Sequence, residues 1–108
     1  MVPAWLVLLL FGASGCKSDP VDGSVLYRSA CARCHGEDGR GGLQTQPGTA
    51  PPRDLGSPTW QEGVTDDQLR EVLRRGRGQM PAFEGTLSPS KIDAVVAHLR
   101  TLRRPASK

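Results

Sequence analysis

Apolar residues open the chain as a continuous run and later recur at helical spacing. From Ala4 to Phe11 the run "AWLVLLLF" is unbroken, and it stops at "GASGC". Its core of roughly 10 residues is too short to span a bilayer, which takes about 20. It reads as the h-region of a secretory signal rather than a buried apolar helix, because polar "KSDPVDGS" follows at once. The next segment, "GSVLYRSACARCHG", is expected to be helical up to its cysteines, with Val25 and Leu26 facing inward and Tyr27 able to join them. Glycines and prolines then dominate "EDGRGGLQTQPGTAPPRDLGSPTW", a loop by composition and a long one for a compact domain. Helical periodicity returns in "TDDQLREVLRRG", where Leu69, Val72 and Leu73 make an i, i+3, i+4 stripe. Thr65 and Gln68 form a capping box, and Gly76 is the stop. "RGQMPAFEGTL" cannot be helical through Pro81. In "SPSKIDAVVAHLRTLRR", Ser88 is the N-cap and Pro89 takes the first helical position, while Ile92, Val95, Val96, Leu99 and Leu102 line one face. No stretch alternates as a strand would, so the fold class is all-α.

These boundaries divide the chain into a signal peptide at residues 1–15, a flexible tether at 16–23, a folded domain at 24–104 and a disordered tail at 105–108. The box "ASGC" resembles a bacterial lipobox, with Ala13 where such boxes usually carry Leu. On that reading Cys16 becomes the lipidated first residue of the mature protein, with more than one acyl chain for stable anchoring. A simple secretory signal without lipid is the alternative. Either way the protein is exported, to the periplasmic or cell-envelope side.

A domain of about 85 residues is marginal unless something supplements its core. Only 37 % of the chain is apolar, and Trp5 and Phe11 fall in the signal. A non-protein apolar body would supply what the side chains do not. The net charge of +3 is largely arginine, clustered at Arg70, Arg74, Arg75 and Arg77 and again at Arg100, Arg103 and Arg104. Such clusters are either solvated helix faces or a docking surface for an acidic partner. An exported chain without a nucleic-acid motif makes nucleic acid a poor fit.

The candidate chemistry lies in "CARCHG", residues 31–36. A disulfide between Cys31 and Cys34 would close a very small loop and stabilise little. A thioredoxin-like redox site needs strands. Zinc needs about four ligands, and the only other histidine is His98, expected at water or a helix edge. Covalent haem uses each thiol to form a thioether with a vinyl group and places His35 as axial ligand. In an exported chain of this size that reading is the strongest. It calls for a second ligand, and Met80 in "GQMPAF" is the one methionine besides Met1; filling a gap in the core is its ordinary alternative.

"GSVLYRSACARCHGEDGRGG", "APPRDL", "MPAF" and "LSPSKIDAVVAHLRTL" together resemble a class I c-type cytochrome of the small monohaem bacterial kind. The resemblance runs from Gly23 to Leu102. It implies about four helices and loops wrapped round one haem c, with the first and last helices crossing. It implies thioethers at Cys31 and Cys34 and axial ligation by His35 and Met80. A proline carbonyl, from Pro51 or Pro52, would accept the Nδ1 proton of His35. Leu55 would pack on the haem. Trp60 would pack there or donate to a propionate, or be an ordinary half-buried Trp; Arg53 would pair with a propionate or be solvated. The function implied is one-electron transfer between redox partner proteins, with the membrane reached through the lipid on Cys16. An open or labile sixth position, making a peroxidase or gas sensor, is the alternative.

Overall fold

The computed structural model describes residues 21–42 and 47–106; the apolar leader and Cys16 lie outside the described residues. Five helices follow in order: α1 (Gly23–Ala30), α2 (Ala32–His35), α3 (Pro58–Gly63), α4 (Asp66–Arg75) and α5 (Pro89–Thr101). Among the described residues the only β-type pairing is an isolated bridge between Arg77 and Met80. The all-α class holds.

Each helix begins where a side chain can take up its orphan backbone donors. Asp22, assigned above to the tether, caps α1 by accepting from the Ser24 amide at 2.9 Å. Ser57 caps α3 with Pro58 in the first turn, so the Gly/Pro-rich loop ends earlier than composition suggested. The capping box of α4 closes as expected: the Gln68 amide reaches Thr65 Oγ1 at 3.1 Å, and the Thr65 amide reaches Gln68 Oε1 at 2.9 Å. Asp66 and Asp67 stand at its positive end and Arg74 and Arg75 at its negative end. Ser88 and Pro89 start α5.

The core is where α1 and α4 meet α5. Its buried apolar side chains are Tyr27, Leu55, Leu69, Leu73, Ile92, Val95, Val96 and Leu99. The α5 stripe thus faces inward, with Leu102 half-buried at its end. On α1 the expected face is rotated. Tyr27 is fully buried, Leu26 packs at the margin, and Val25 is 53 % exposed. Close approach of backbones sets that rotation: a Cβ on Gly23 would collide with the Ala94 carbonyl oxygen of α5 and come 3.3 Å from His98 Cβ. With Gly23 against α5, 3.6-residue periodicity carries Tyr27, four positions on, to the same side. His98, expected at water or a helix edge, is half-buried instead. Its ring lies 4.9 Å from the Tyr27 ring at an interplanar angle of 45°.

One polar residue completes the core. Gln61 is 5 % exposed. Its Nε2 donates to the Leu55 carbonyl at 2.7 Å and to the Leu99 carbonyl at 2.9 Å. Its Oε1 accepts from Arg100 at 2.9 Å, and the Arg100 guanidinium also reaches the Gln61 and Val64 carbonyls and Asp66. The loop at Leu55, α3 and α5 are joined through this one amide. Gln61→Leu would keep the volume but take the Leu55 carbonyl's side-chain donor and leave the Leu99 carbonyl with the Leu102 amide alone, at a cost of about 2 kcal/mol. Chemical denaturation should show that loss; a change under about 0.5 kcal/mol, the range of ordinary surface substitutions, would contradict this role for the amide.

A thiol-imidazole site on a helical turn

The "CARCH" stretch is a separate turn of helix set against the end of α1. The Cys31 amide donates to the Tyr27 carbonyl at 2.8 Å, and the His35 amide to the Cys31 carbonyl at 3.0 Å. Cys31 and Cys34 are three positions apart and therefore share a face. Both thiols are free and half-buried. Burial, with the neighbouring Cys34 adding to it, pushes the Cys31 thiol up to about 11.

The turn ends at Gly36, whose φ of 79° lies in the left-handed region. Tyr27 Oη donates to the Gly36 carbonyl at 2.6 Å. Burial holds the phenol up at about 12, with Cys31 and Asp38 contributing, so the hydroxyl remains a donor. The chain then doubles back: the Gly41 amide donates to the His35 carbonyl at 2.7 Å, and the Leu55 amide to the Gly39 carbonyl at 2.7 Å.

His35 Nδ1 lies 3.1 Å from the carbonyl oxygen of Arg53. The acceptor is therefore one residue beyond the Pro51–Pro52 pair expected from sequence. Pro51 is exposed, and the Pro52 carbonyl instead packs against Gly41, where a Cβ would overlap it. Because a carbonyl only accepts, Nδ1 carries the proton and Nε2 keeps its lone pair. Burial lowers the imidazole's pKa, partly offset by the Arg53 hydrogen bond. His35 is thereby an imidazole of fixed tautomer with an unprotonated Nε2.

Met80 is half-buried against the same apolar cluster that Cys31 borders. A tight turn presents it. The Arg77 and Met80 amides exchange hydrogen bonds at 3.1 and 2.9 Å, and the Phe83 amide returns to the Leu73 carbonyl at 2.9 Å. Leu55 is buried within the cluster, and Trp60 lies at its edge with the Arg53 guanidinium 5.9 Å from its ring centroid. Arg53 itself is exposed. Among the described residues no three His, Cys, Asp or Glu side chains converge. The donor set is two sulfurs and one imidazole, with a thioether bordering the same core.

Residues 18–99 match the family described as cytochrome C oxidase, cbb3-type, subunit III. The chain belongs to that family. The FixP subunit of the cbb3-type cytochrome c oxidase of Bradyrhizobium diazoefficiens is 35 % identical over 90 residues, covering 78 % of this chain and 28 % of that protein. FixP of Azorhizobium caulinodans is 31 % identical over 81 residues, covering 74 % and 26 %. The chain thus spans little more than a quarter of the curated relatives' length. Among solved structures, KustC0563 c-type cytochrome superposes with a TM-score of 0.65 at 27 % identity, covering 78 % of this chain and 100 % of that one. Dihydro-heme d1 dehydrogenase NirN in complex with DHE gives a TM-score of 0.55 at 32 % identity, covering 80 % of this chain and 16 % of that one. The fold is the cytochrome c fold, the cofactor of this cbb3-type domain is covalently bound haem c, and its class of function is electron transfer. The residues fit such a group: free thiols on one helical face, an imidazole of fixed tautomer, and a thin apolar core beside them.

Two features of this site had no signature in the sequence. The Arg53 acceptor is a backbone atom, to which any residue type contributes alike. Gly41 is one of several glycines after the motif, and only packing distinguishes it. Gly41→Ala would place a Cβ on the Pro52 carbonyl, 2.9 Å from the Arg53 oxygen and at a φ of +77°. Gly42 has a similar φ of +83° with nothing within 4 Å. Thermal unfolding should therefore show Gly41→Ala losing about 3 kcal/mol and Gly42→Ala about 1 kcal/mol, since only the first adds overlap to backbone strain. Equal losses would mean that the contact with the Arg53 segment is immaterial.

Proposed function

We propose that the chain is a one-electron carrier in which Cys31 and Cys34 hold the haem through thioethers, while His35 Nε2 and Met80 Sδ are its axial ligands. The observation that carries this reading is the Nδ1 contact with the Arg53 carbonyl, which leaves the Nε2 lone pair free on the same helical turn as two free thiols. When bound, the haem supplies a reversible one-electron iron couple. The protein's part is binding and tuning. Cys31 and Cys34 fix position. His35 donates from a ring whose basicity the Arg53 carbonyl raises. Met80 offers a neutral, soft sulfur that favours the ferrous state. If His35 and Met80 both held the iron, the group would serve electron transfer and leave no open position for a small-molecule substrate.

The charge pattern supports a docking role around this site. The arginine clusters read as a basic surface are mostly spent in ion pairs: Arg70 with Asp67 and Asp93, Arg74 with Glu71 and Glu84, Arg75 with Glu71, Arg100 with Asp66, Arg103 with Glu62 and Arg104 with Asp54. Arg33, Arg53 and Arg77, like Arg28 and Lys91, have no carboxylate partner among the described residues. Each of the first three is close in sequence or contact to the site: Arg33 between the cysteines, Arg53 on His35, Arg77 bridged to Met80. An acidic redox partner is the complement of such a surface. Among the described residues no helix is long and apolar enough to cross a membrane. The lipid on Cys16 is the proposed anchor, with the domain on the periplasmic or cell-envelope side.

Purified from a host that attaches haem, the mature protein should stain for covalent haem, and its mass should include both haem and acyl chains. The ferric spectrum should be low-spin with a sulfur-to-iron charge-transfer band. Met80→Ala should abolish that band while the covalent haem remains; a high-spin wild-type spectrum would displace Met80 from this role. Oxidation of the reduced protein by hexacyanoferrate(III), an anion, should slow as ionic strength rises, and Arg33→Gln with Arg77→Gln should flatten that dependence. A salt response unchanged by the double substitution would remove these arginines from docking.

A further inference from the structure

After α5 the chain turns back across residues 54–56. The Arg104 amide donates to the Gly56 carbonyl at 2.9 Å. Its guanidinium holds both carboxylate oxygens of Asp54, Nη1 to Oδ1 at 3.0 Å and Nη2 to Oδ2. The same Oδ1 accepts from the Gly56 amide at 3.0 Å. The fit leaves no room: a Cβ on Gly56 would lie 2.6 Å from the Leu102 carbonyl oxygen and 2.5 Å from Arg104 Nη1. The Leu102 side chain closes on Gly39, whose carbonyl holds the Leu55 amide.

Asp54 follows the residue whose carbonyl receives the His35 proton. The Arg53 C=O and the Asp54 N–H share one planar peptide unit, so whatever orients Asp54 also aims that carbonyl. We infer that Arg104 is a positioning residue for His35: by clamping Asp54 and Gly56 it directs the Arg53 carbonyl at Nδ1, and the C-terminal end of the domain thereby adjusts the donor strength of the axial ligand. The inference rests on the assignment of His35 as ligand. A bidentate guanidinium–carboxylate pair is suited to this task because it fixes direction as well as distance. This pair holds the residue that follows the Arg53 carbonyl, the segment that supports the imidazole.

A firm Nδ1–H···O=C bond makes the imidazole a stronger donor and favours ferric iron. Loosening it should favour the ferrous state. In the haem-loaded protein, Arg104→Gln should speed solvent exchange of the His35 ring N–H, followed by NMR of the ferrous form, by roughly tenfold. It should also raise the ferrous-to-ferric ratio at a fixed potential by roughly threefold, since loss of such outer partners typically costs about tenfold or more in ligand function. Arg104→Lys, which keeps the charge but not the fork, should fall between it and wild type. Arg103→Gln, which breaks the adjacent pair with Glu62, should leave both readings at wild-type values. Should Arg104→Gln fail to fold, Asp54→Asn should shift both quantities in the same direction. Wild-type exchange and potential in folded Arg104→Gln, or an equal shift in Arg103→Gln, would overturn the clamp while leaving haem ligation intact. Wild-type protein without covalent haem would overturn the ligand assignment and the clamp together.

Discussion

The arrangement of the site depends on one hydrogen bond, from the ring of His35 to the backbone oxygen of Arg53. It joins residues 18 positions apart and fixes the tautomer that leaves Nε2 available. The surrounding main chain is organised to keep it. Gly41 must be glycine-like for the loop to lie against residues 52 and 53, and its amide returns to the His35 carbonyl. Tyr27 secures the next carbonyl from within the core. The imidazole is thus supported from the loop, from α1 and, through Asp54, from the end of α5.

This economy answers the problem of a small core. The eight buried apolar side chains among the described residues are few for a domain of this size. Part of the cohesion is polar instead, gathered at Gln61, Arg100 and Arg104, where each guanidinium or amide satisfies several backbone or carboxylate groups at once. A covalently held porphyrin supplies the apolar body that the side chains do not. The same polar bridges consume much of the arginine charge; among the described residues Arg33, Arg53 and Arg77 near the thiol-imidazole turn have no carboxylate partner, and neither do Arg28 and Lys91.

Membership of the cbb3-type family accounts for the fold and the cofactor class, while this chain corresponds to only about a quarter of its FixP relatives. What those longer proteins do beyond this domain is therefore separate from what the domain itself can do. Its own residues provide two thiols and an imidazole of fixed tautomer, which suit the holding of a haem.

Local rules made much of the molecule legible from the sequence. The capping box of Thr65 and Gln68, the Ser88–Pro89 start and the α5 stripe each depend on neighbours within a turn or two, so residue type and spacing sufficed. "CARCH" was legible for the same reason: its chemistry sits on one turn of helix. Contacts between distant segments were not. Which face of α1 turns inward was decided by Gly23 meeting the Ala94 carbonyl, which exposed Val25 and brought His98 against Tyr27. Gln61 carried no signal in the sequence, and folding brought the Leu55 and Leu99 carbonyls to it. The acceptor for His35 moved from the prolines to Arg53 because a carbonyl belongs to the backbone, and only the path of the chain determines which one arrives. The residues able to do the chemistry were thus set by the sequence, and the groups that orient them were chosen by tertiary packing, since orientation depends on atoms that all residue types share.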